Sequence, residues 1–193
     1  MAYTIAFFGS KPYDEASFNE KNKEYGFELR YYKGHLNKHN VILTQGVDAV
    51  CIFVNDTADT EVIRLMADNG VKLLALRCAG YNNVDLKKTA EYGIKVARVP
   101  GYSPEAVAEH AMALALTANR HTHKAYIKCR ENDFSLNGLM GVDLYKKTAG
   151  IIGTGKIGMA MARICRGFGM RVLGYDMYPN PNNDIEYVTL DEL

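Results

Sequence analysis

The 193-residue sequence has no tryptophan and is poor in the residues that build metal and disulfide frameworks, with only 4 cysteines and 5 histidines. Cys51, Cys78, Cys129 and Cys165 stand far apart and form no C-x-x-C pair. Spacing of this kind makes a structural zinc site or any other metal site unexpected. The sequence therefore predicts buried free thiols in a reducing cytoplasm.

Neither sign of charge dominates, because 23 Lys+Arg against 22 Asp+Glu leave a net charge of +1. Nucleic-acid binding needs a basic patch, so we expect no nucleic-acid partner. Long apolar runs are also missing: none approaches the ~18 residues of a membrane helix, and the run at 5–8 lacks the basic residues that begin a signal peptide. With 48% hydrophobic residues, the sequence indicates a soluble, cytoplasmic α/β enzyme.

Short apolar runs alternate with helical patterns over the first hundred residues. Continuous apolar runs predict buried strands, and a polar alternating run predicts an edge strand at 28–31. The predicted buried strands are 5–8, 48–54, 72–76 and 94–99. Helices are predicted after Asp59 or Thr60, ending at Gly70, and over 85–92. This order predicts a parallel sheet covered on both faces, with ligand sites in the loops that follow its strands.

Two of those loops carry candidate functional residues. In the loop at 77–85, Ala79 and Gly80 are small enough to let backbone N–H groups approach an anion near a helix N-terminus. From spacing alone, a plain strand-to-helix turn remains the favoured interpretation. In the loop at 98–105, Ser103 followed by Pro104 predicts the start of a helix.

The helix that follows, from Glu105 to about Asn119, is rich in alanine and apolar on nearly every side. Helices with this pattern are buried between layers, so we predict a linker helix packed between two domains. His110 lies within it and could act as a catalytic base. A hydrogen-bonded core histidine is the favoured interpretation.

A glycine fingerprint appears at Gly153, Gly155 and Gly158, between a predicted strand and a predicted helix. A second strand follows and ends at Asp176, within a unit of about 30 residues that has an acid about 20 residues after the glycines. A bare G-x-G-x-x-G is common in turns, but this context favours a dinucleotide site over a turn without a nucleotide. Lys156 adds positive potential there, although a solvated surface lysine explains it equally well.

Each position in the fingerprint has a physical role. Gly153 would make the tight turn, Gly155 would let backbone amides reach a pyrophosphate, and Gly158 would let the helix pack closely on the sheet. The helix N-terminus attracts the phosphates. Asp176 can accept hydrogen bonds from ribose hydroxyls and would repel a 2′-phosphate, so NAD is favoured over NADP as the cofactor.

At this point the sequence resembles the NAD-dependent D-2-hydroxyacid dehydrogenases, and within them the fermentative D-lactate dehydrogenases. Five segments carry the resemblance. They are LRCAGYNNVD at 76–85, RVPGYSPEAVAEH at 98–110, FSLNGL at 134–139, KTAGIIGTGKIG at 147–158 and GFGM at 167–170. The resemblance covers the whole chain, and the five segments follow one another in the order that the family has them.

The resemblance implies an α/β protein with a flavodoxin-like substrate domain and a truncated Rossmann-type dinucleotide-binding domain. The substrate domain would occupy 1–101, and the linker helix with the first part of the NAD-binding domain would occupy 102–193. The reaction that the resemblance implies is the reduction of pyruvate to D-lactate with NADH. Family members associate through the coenzyme domain and the loop at 134–141, which implies a homo-oligomer.

The resemblance also assigns roles to individual residues. The backbone amides of Ala79 and Gly80 would bind the substrate carboxylate, and Tyr102 would reach towards the substrate. Cofactor contacts would come from the residues Val107 (beside the nicotinamide), Gly153, Thr154, Gly155, Lys156, Ile157, Gly158 and Asp176. The family's catalytic arginine, glutamate and histidine have no counterparts in this sequence, because they lie beyond the position of Leu193.

Three functions remain open at this point. The first is a D-lactate dehydrogenase of which this chain is an N-terminal portion, inactive by itself because hydride transfer to a ketone needs a proton donor. The second is a non-catalytic NAD-binding or scaffold protein derived from the family. The third is a dehydrogenase for a different 2-keto acid, larger or phosphorylated. We favour the first, since a natural binding module should complete its core.

Overall fold

The computed structural model describes residues 2–193 and divides the chain into two compact units, one up to Tyr102 and the other from Ser103 to Leu193. Each unit is built on its own parallel sheet. The α/β class expected from the sequence is confirmed. The division falls one residue after the expected one, so that Tyr102 ends the first unit.

A five-stranded sheet forms the centre of the first unit. All neighbouring strands are parallel and their order is β2-β1-β3-β4-β5, the order of flavodoxin-like folds. The strands are β1 (Thr4–Phe7), β2 (Glu28–Tyr31), β3 (Ala49–Ile52), β4 (Leu73–Leu76) and β5 (Lys95–Arg98). The helices are α1 (Pro12–Asn22), α2 (Thr60–Asp68) and α3 (Leu86–Glu91), with a 3-10 turn at Val41–Thr44.

Burial follows the position of each strand in the sheet. The central strand β3 is buried at all four residues, while β2 and β5 at the edges are mostly exposed or half-buried. Helix α2 begins where Asp59 accepts a hydrogen bond from the N–H of Val62 at 3.0 Å, and α3 begins where Asp85 accepts one from the N–H of Lys88 at 3.1 Å. The predicted helices and strands of this unit are thus confirmed within a few residues.

The loop after β4 is tied to the loop after β3. The side-chain amide of Asn83 donates to the backbone oxygens of Phe53 at 3.0 Å and of Asp56 at 2.9 Å. Asp56 is itself buried and accepts hydrogen bonds from the N–H groups of Leu36 and Phe53, each at 2.6 Å. These contacts fix the loops at the carboxyl edge of the sheet, where ligands bind in open α/β folds.

The second unit holds a three-stranded parallel sheet in the order β6-β7-β8. Its strands are β6 (Thr148–Ile152), β7 (Arg171–Tyr175) and β8 (Glu186–Tyr187), and its helices are α4 (Pro104–Arg120), α5 (Thr122–Arg130) and α6 (Lys156–Gly167). Helix α6 connects β6 to β7, and α4 packs against α6 around Met112, Ile151 and Cys165. This is the first β-α-β unit of a Rossmann-type sheet. The last strand, β8, is only two residues long.

The prediction for α4 is wrong in one respect. The helix begins at Pro104 after Ser103, whose hydroxyl accepts from the N–H of Ala106 at 3.2 Å, but within its unit only Ala108 and Met112 are buried. These two lie one turn apart on a single stripe, and alanines elsewhere on the helix are exposed. His110 is also exposed, and its side chain makes none of the hydrogen bonds found within 2–193, so the core-histidine interpretation is wrong.

Three of the four cysteines are buried as predicted, but Cys129 on α5 is exposed, because no residue of α5 is buried. All four are free thiols in the described chain. Burial raises the pKa of the Cys51 thiol to about 12, which keeps it protonated and unreactive at neutral pH.

Within residues 2–193, no helix has both the length and the apolar character needed to cross a bilayer. The same residues contain no group of three or more His, Cys, Asp or Glu side chains placed to share a metal ion. After β8, residues 189–192 form a turn closed by a hydrogen bond from the N–H of Glu192 to the oxygen of Thr189 at 3.2 Å.

Candidate functional site

The glycine fingerprint lies where β6 ends and α6 begins. Gly153 has φ of +87°, a left-handed conformation that side chains rarely adopt, and its N–H donates to the oxygen of Tyr175 at 2.8 Å. The turn therefore leaves β6 sharply while remaining joined to β7. The structure agrees with the turn role that the sequence predicts for Gly153.

Gly158 brings the helix against that turn. A Cβ atom added at Gly158 would lie 2.0 Å from the backbone oxygen of Gly153 and 3.2 Å from the Ile151 side chain. At Gly155, in contrast, an added Cβ would meet no atom within 4 Å. Packing within the protein thus requires glycine at 158, whereas the open space at 155 is free for a ligand to approach the backbone.

The first turn of α6 presents unpaired amide donors. Gly155 is the N-cap residue and offers no side-chain cap. Within residues 2–193, no protein oxygen accepts from the N–H groups of Gly155, Lys156 or Ile157. Since the helix dipole adds positive potential at this end, these donors suit the oxygens of a pyrophosphate. The side chains of Lys156 and Ile157 are both exposed.

Asp176 follows β7 and faces the same turn. Its Oδ2 accepts from the N–H of Thr154 at 2.7 Å and from the Thr154 hydroxyl at 3.0 Å, while its Oδ1 accepts from the N–H of Tyr178 at 2.9 Å. The N–H of Tyr178 and then the Thr154 donors hold the pKa of Asp176 below its ordinary value. The carboxylate is therefore charged at neutral pH and keeps acceptor capacity for a ribose hydroxyl.

A chain of hydrogen bonds runs through Tyr187 and Thr154 to Asp176, and the sequence did not predict it. The Tyr187 hydroxyl accepts from the side-chain amide of Asn183 and from the N–H of Asn180, each at 3.2 Å. It also lies 2.8 Å from the Thr154 hydroxyl. Since the Thr154 hydroxyl donates its one hydrogen to Asp176, Tyr187 supplies the hydrogen of this last bond. Tyr187 on β8 thus fixes the Thr154 rotamer that orients the acid.

These groups line a cleft of about 490 Å³ in the second unit, a volume within the range of small-molecule sites. Thr154, Gly155, Lys156 and Asp176 line it, together with residues from the start of α4 and the loop before β8. Val107 is half-exposed on α4 and is not part of this lining. The free amides, the open space at Gly155 and the charged acid fit the pyrophosphate and ribose of a dinucleotide.

The predicted substrate residues belong to the first unit. Ala79 and Gly80 follow β4, and within residues 2–193 no oxygen accepts from either N–H. Two neighbouring unpaired amides can together bind a carboxylate. Tyr102 ends the unit and is 72% exposed. The structure gives no hydrogen bond between Tyr102 and the Ala79–Gly80 segment, so these three residues are not joined in a preformed cluster.

Comparison with known proteins gives a consistent result. A profile described as D-isomer specific 2-hydroxyacid dehydrogenase, catalytic domain, matches residues 5–179. Over 192 residues the chain is 50% identical to a 2-hydroxyacid dehydrogenase homolog of Haemophilus influenzae and 48% identical to a D-lactate dehydrogenase of Escherichia coli, covering 98% of this chain in both cases. It spans only 58% of the length of each of these relatives.

Solved structures agree. The apo-structure of the Escherichia coli D-lactate dehydrogenase matches with a TM-score of 0.87 at 48% identity, covering 97% of this chain and 60% of that one. A D-lactate dehydrogenase from Aquifex aeolicus, solved in complex with NAD and lactic acid, matches with a TM-score of 0.80 at 29% identity, covering 97% of this chain and 56% of that one. Both similarities extend across the two units of the chain.

Proposed function

Because this chain belongs to the D-isomer specific 2-hydroxyacid dehydrogenase family, we propose that the protein at its natural length reduces pyruvate to D-lactate with NADH. One observation carries the proposal more than any other: the unpaired amides at the start of α6 and the charged Asp176 line one cleft, beside the open space at Gly155. NADH is the cofactor that these groups fit, and when bound it supplies the hydride.

The chain's own residues bind and orient the reactants in this proposal. The N-terminal amides of α6 hold the pyrophosphate, and Asp176 accepts from the adenosine ribose and excludes a 2′-phosphate by charge repulsion. In the first unit, the N–H groups of Ala79 and Gly80 bind the carboxylate of the 2-keto acid. We expect Tyr102 to add a contact to the substrate and Val107 to lie beside the nicotinamide, the roles that the resemblance implies for them.

Reduction of a ketone also needs a proton for the developing alkoxide. By resemblance, the family's arginine, glutamate and histidine supply carboxylate binding and this proton, and the sequence up to Leu193 contains no counterpart of the three. We therefore expect the 193-residue polypeptide by itself to bind ligands without reducing pyruvate.

The reaction is tested by following NADH oxidation at 340 nm with the protein expressed at its natural length and with the 193-residue polypeptide in parallel. We expect the natural-length protein to turn over pyruvate with a kcat/KM at least tenfold above that for branched or phosphorylated 2-keto acids. The polypeptide should give no turnover. A higher kcat/KM for a branched acid than for pyruvate would make the branched acid the substrate. NADH binding without any turnover would favour a non-catalytic or scaffold function.

Coenzyme choice gives a second prediction. In the natural-length protein, Asp176→Ala should lower the ratio of NADH affinity to NADPH affinity at least tenfold, because it removes both the ribose acceptor and the charge that repels a 2′-phosphate. Coenzyme fluorescence titration measures both affinities. Asp191→Ala, which removes an exposed carboxylate of the same unit, is the matched control. An unchanged ratio in Asp176→Ala would refute the role given to this acid.

We also propose that the protein forms a homo-oligomer through the second unit. The segment between α5 and β6 exposes five large apolar side chains by more than half, which is an unfavourable surface to leave in water. They are Phe134, Leu136, Met140, Val142 and Tyr145. This segment includes the loop through which the resembled family associates.

A further inference from the structure

The part of the loop after β4 that includes Ala79 and Gly80 is contacted from β5 and from the residue that follows β5. A guanidinium nitrogen, Nη1 of Arg98, donates to the backbone oxygen of Ala79 at 2.7 Å. The same guanidinium lies 5.2 Å from the centroid of the Tyr81 ring, within cation–π range. One residue further, the N–H of Val99 donates to the oxygen of Cys78 at 3.2 Å. Arg98 therefore touches the loop on both sides of Gly80.

The bond to the Ala79 oxygen controls a particular N–H group. The Ala79 carbonyl and the Gly80 N–H belong to one peptide plane, and in a trans peptide they point in opposite directions. Fixing the oxygen therefore fixes the direction of the Gly80 N–H. A charged donor on the oxygen also polarises the peptide and strengthens its N–H as a donor.

The Gly80 peptide is restrained from its other end as well. The Cys78 thiol donates to the backbone oxygen of Gly80 at 3.2 Å, and Cys78 is buried. Gly80 itself has open space around the position that a Cβ would occupy. The two flanking carbonyls are thus held by the protein, while the N–H between them has no protein acceptor within residues 2–193.

We propose that Arg98 is a positioning residue for the substrate carboxylate. It does not contact the carboxylate; it holds the Ala79–Gly80 peptide so that the Gly80 N–H points at the ligand as a strengthened donor. The inference rests on the proposed function, in which the ligand at these amides is the carboxylate of a 2-keto acid. Its effect falls on binding of the acid and not on binding of the coenzyme.

The contacts of Arg98 distinguish a role in positioning the Ala79–Gly80 peptide from a role as a surface charge alone. Across residues 2–193, Arg98 forms no salt bridge with a carboxylate, although many other Arg and Lys side chains do. The side chain of Lys95, on the same strand, is also exposed and makes no hydrogen bond or ion pair within residues 2–193. Lys95→Met is therefore a control that removes a positive charge from β5 without disturbing the loop.

The test compares Arg98→Met, Arg98→Lys and Lys95→Met in the natural-length protein. We expect Arg98→Met to raise the KM for pyruvate at least tenfold while the KM for NADH and the urea midpoint stay unchanged. Arg98→Lys should recover part of the loss, because it restores a charged donor without the planar guanidinium that also stacks on Tyr81. Lys95→Met should behave as the unmodified protein.

Two outcomes overturn the inference while leaving the proposed function intact. One is an unchanged KM for pyruvate in Arg98→Met; the other is an equal rise of both KM values with a lower urea midpoint, which indicates a merely structural role. If the unmodified protein reduces no 2-keto acid, the proposed function fails. Hydrogen exchange at the Gly80 amide, measured with and without pyruvate, then tests the inference about Arg98. Protection in the unmodified protein that is lost in Arg98→Met supports the inference, and equal exchange in both overturns it.

Discussion

Replacement of Gly158 by alanine should destabilise the second unit by about 3 kcal/mol, the upper part of the usual range for overpacking. The added Cβ would lie 2.0 Å from the backbone oxygen of Gly153, an atom that can move only if the turn itself shifts. Alanine gains about 1 kcal/mol of helix propensity over glycine, which offsets only part of this cost. Urea unfolding followed by far-UV circular dichroism measures the loss.

Gly167→Ala is the matched control for this substitution. Gly167 is the last residue of the same helix, and an added Cβ there meets no atom within 4 Å. We expect the control to keep or slightly raise the free energy of unfolding, by roughly 0.5 kcal/mol, through reduced freedom of the unfolded chain. If Gly158→Ala unfolds at the same urea concentration as Gly167→Ala, the close approach of α6 to the Gly153 turn does not need glycine.

Gly155→Ala should have the opposite effects: the free energy of unfolding should stay unchanged, while the affinity for the coenzyme should fall strongly. The backbone at Gly155 has φ of −70° and the space beside it is empty, so alanine fits the unliganded protein. The methyl group would occupy the volume through which a pyrophosphate approaches the amides of α6. We expect NADH to bind about 100-fold more weakly, a loss of about 2.7 kcal/mol.

The measurement for Gly155→Ala pairs a coenzyme titration with a urea unfolding curve on the natural-length protein. Unchanged unfolding together with weakened NADH binding supports the assignment of this turn to the pyrophosphate. Normal NADH binding by a stable Gly155→Ala variant would place the coenzyme elsewhere. Gly155→Ala and Gly158→Ala thus separate the two uses of glycine, open space for a ligand and close contact within the protein.

The parts of the site that sequence predicts are those encoded within a short segment. Gly153, Gly155 and Gly158 lie between a strand and a helix, and this local order is sufficient to indicate the turn, the free amides and the close packing. The support that Tyr187 gives to Asp176 could not be inferred in the same way. It depends on β8 pairing with β7 so that Gly174 lies beside Tyr187, and register between distant segments is not visible in local pattern.

Helices α1 and α5 show a second limit. Neither has any buried residue, so neither produces the apolar stripe that predicts an amphipathic helix. Helix α5 also follows an N-cap residue, His121, that has a left-handed conformation with φ of +48°, and a single histidine in a sequence does not predict that conformation. At the start of α1 the Asp14 side chain accepts from the N–H of Lys11 at 3.0 Å, whereas the N-terminus of α5 has no side-chain cap.

The errors on α4 have a related cause. Alanine is small and apolar enough to suit a buried or an exposed helix face, so an alanine-rich helix does not reveal which of its faces is covered. Only the stripe through Ala108 and Met112 is buried within the unit, and His110 lies outside that stripe. Burial of a helix is decided by the partners that pack on it, and these are not encoded in its own pattern.

Hydrogen exchange followed by mass spectrometry is the most direct test of whether the first turn of α6 binds the pyrophosphate of NAD. The natural-length protein would be exchanged with and without saturating NADH. We expect NADH to slow exchange most strongly in peptides that cover Gly155, Lys156 and Ile157, whose amides have no protein acceptor in the described chain. Unchanged exchange in these peptides, with protection appearing elsewhere, would contradict pyrophosphate binding at this turn.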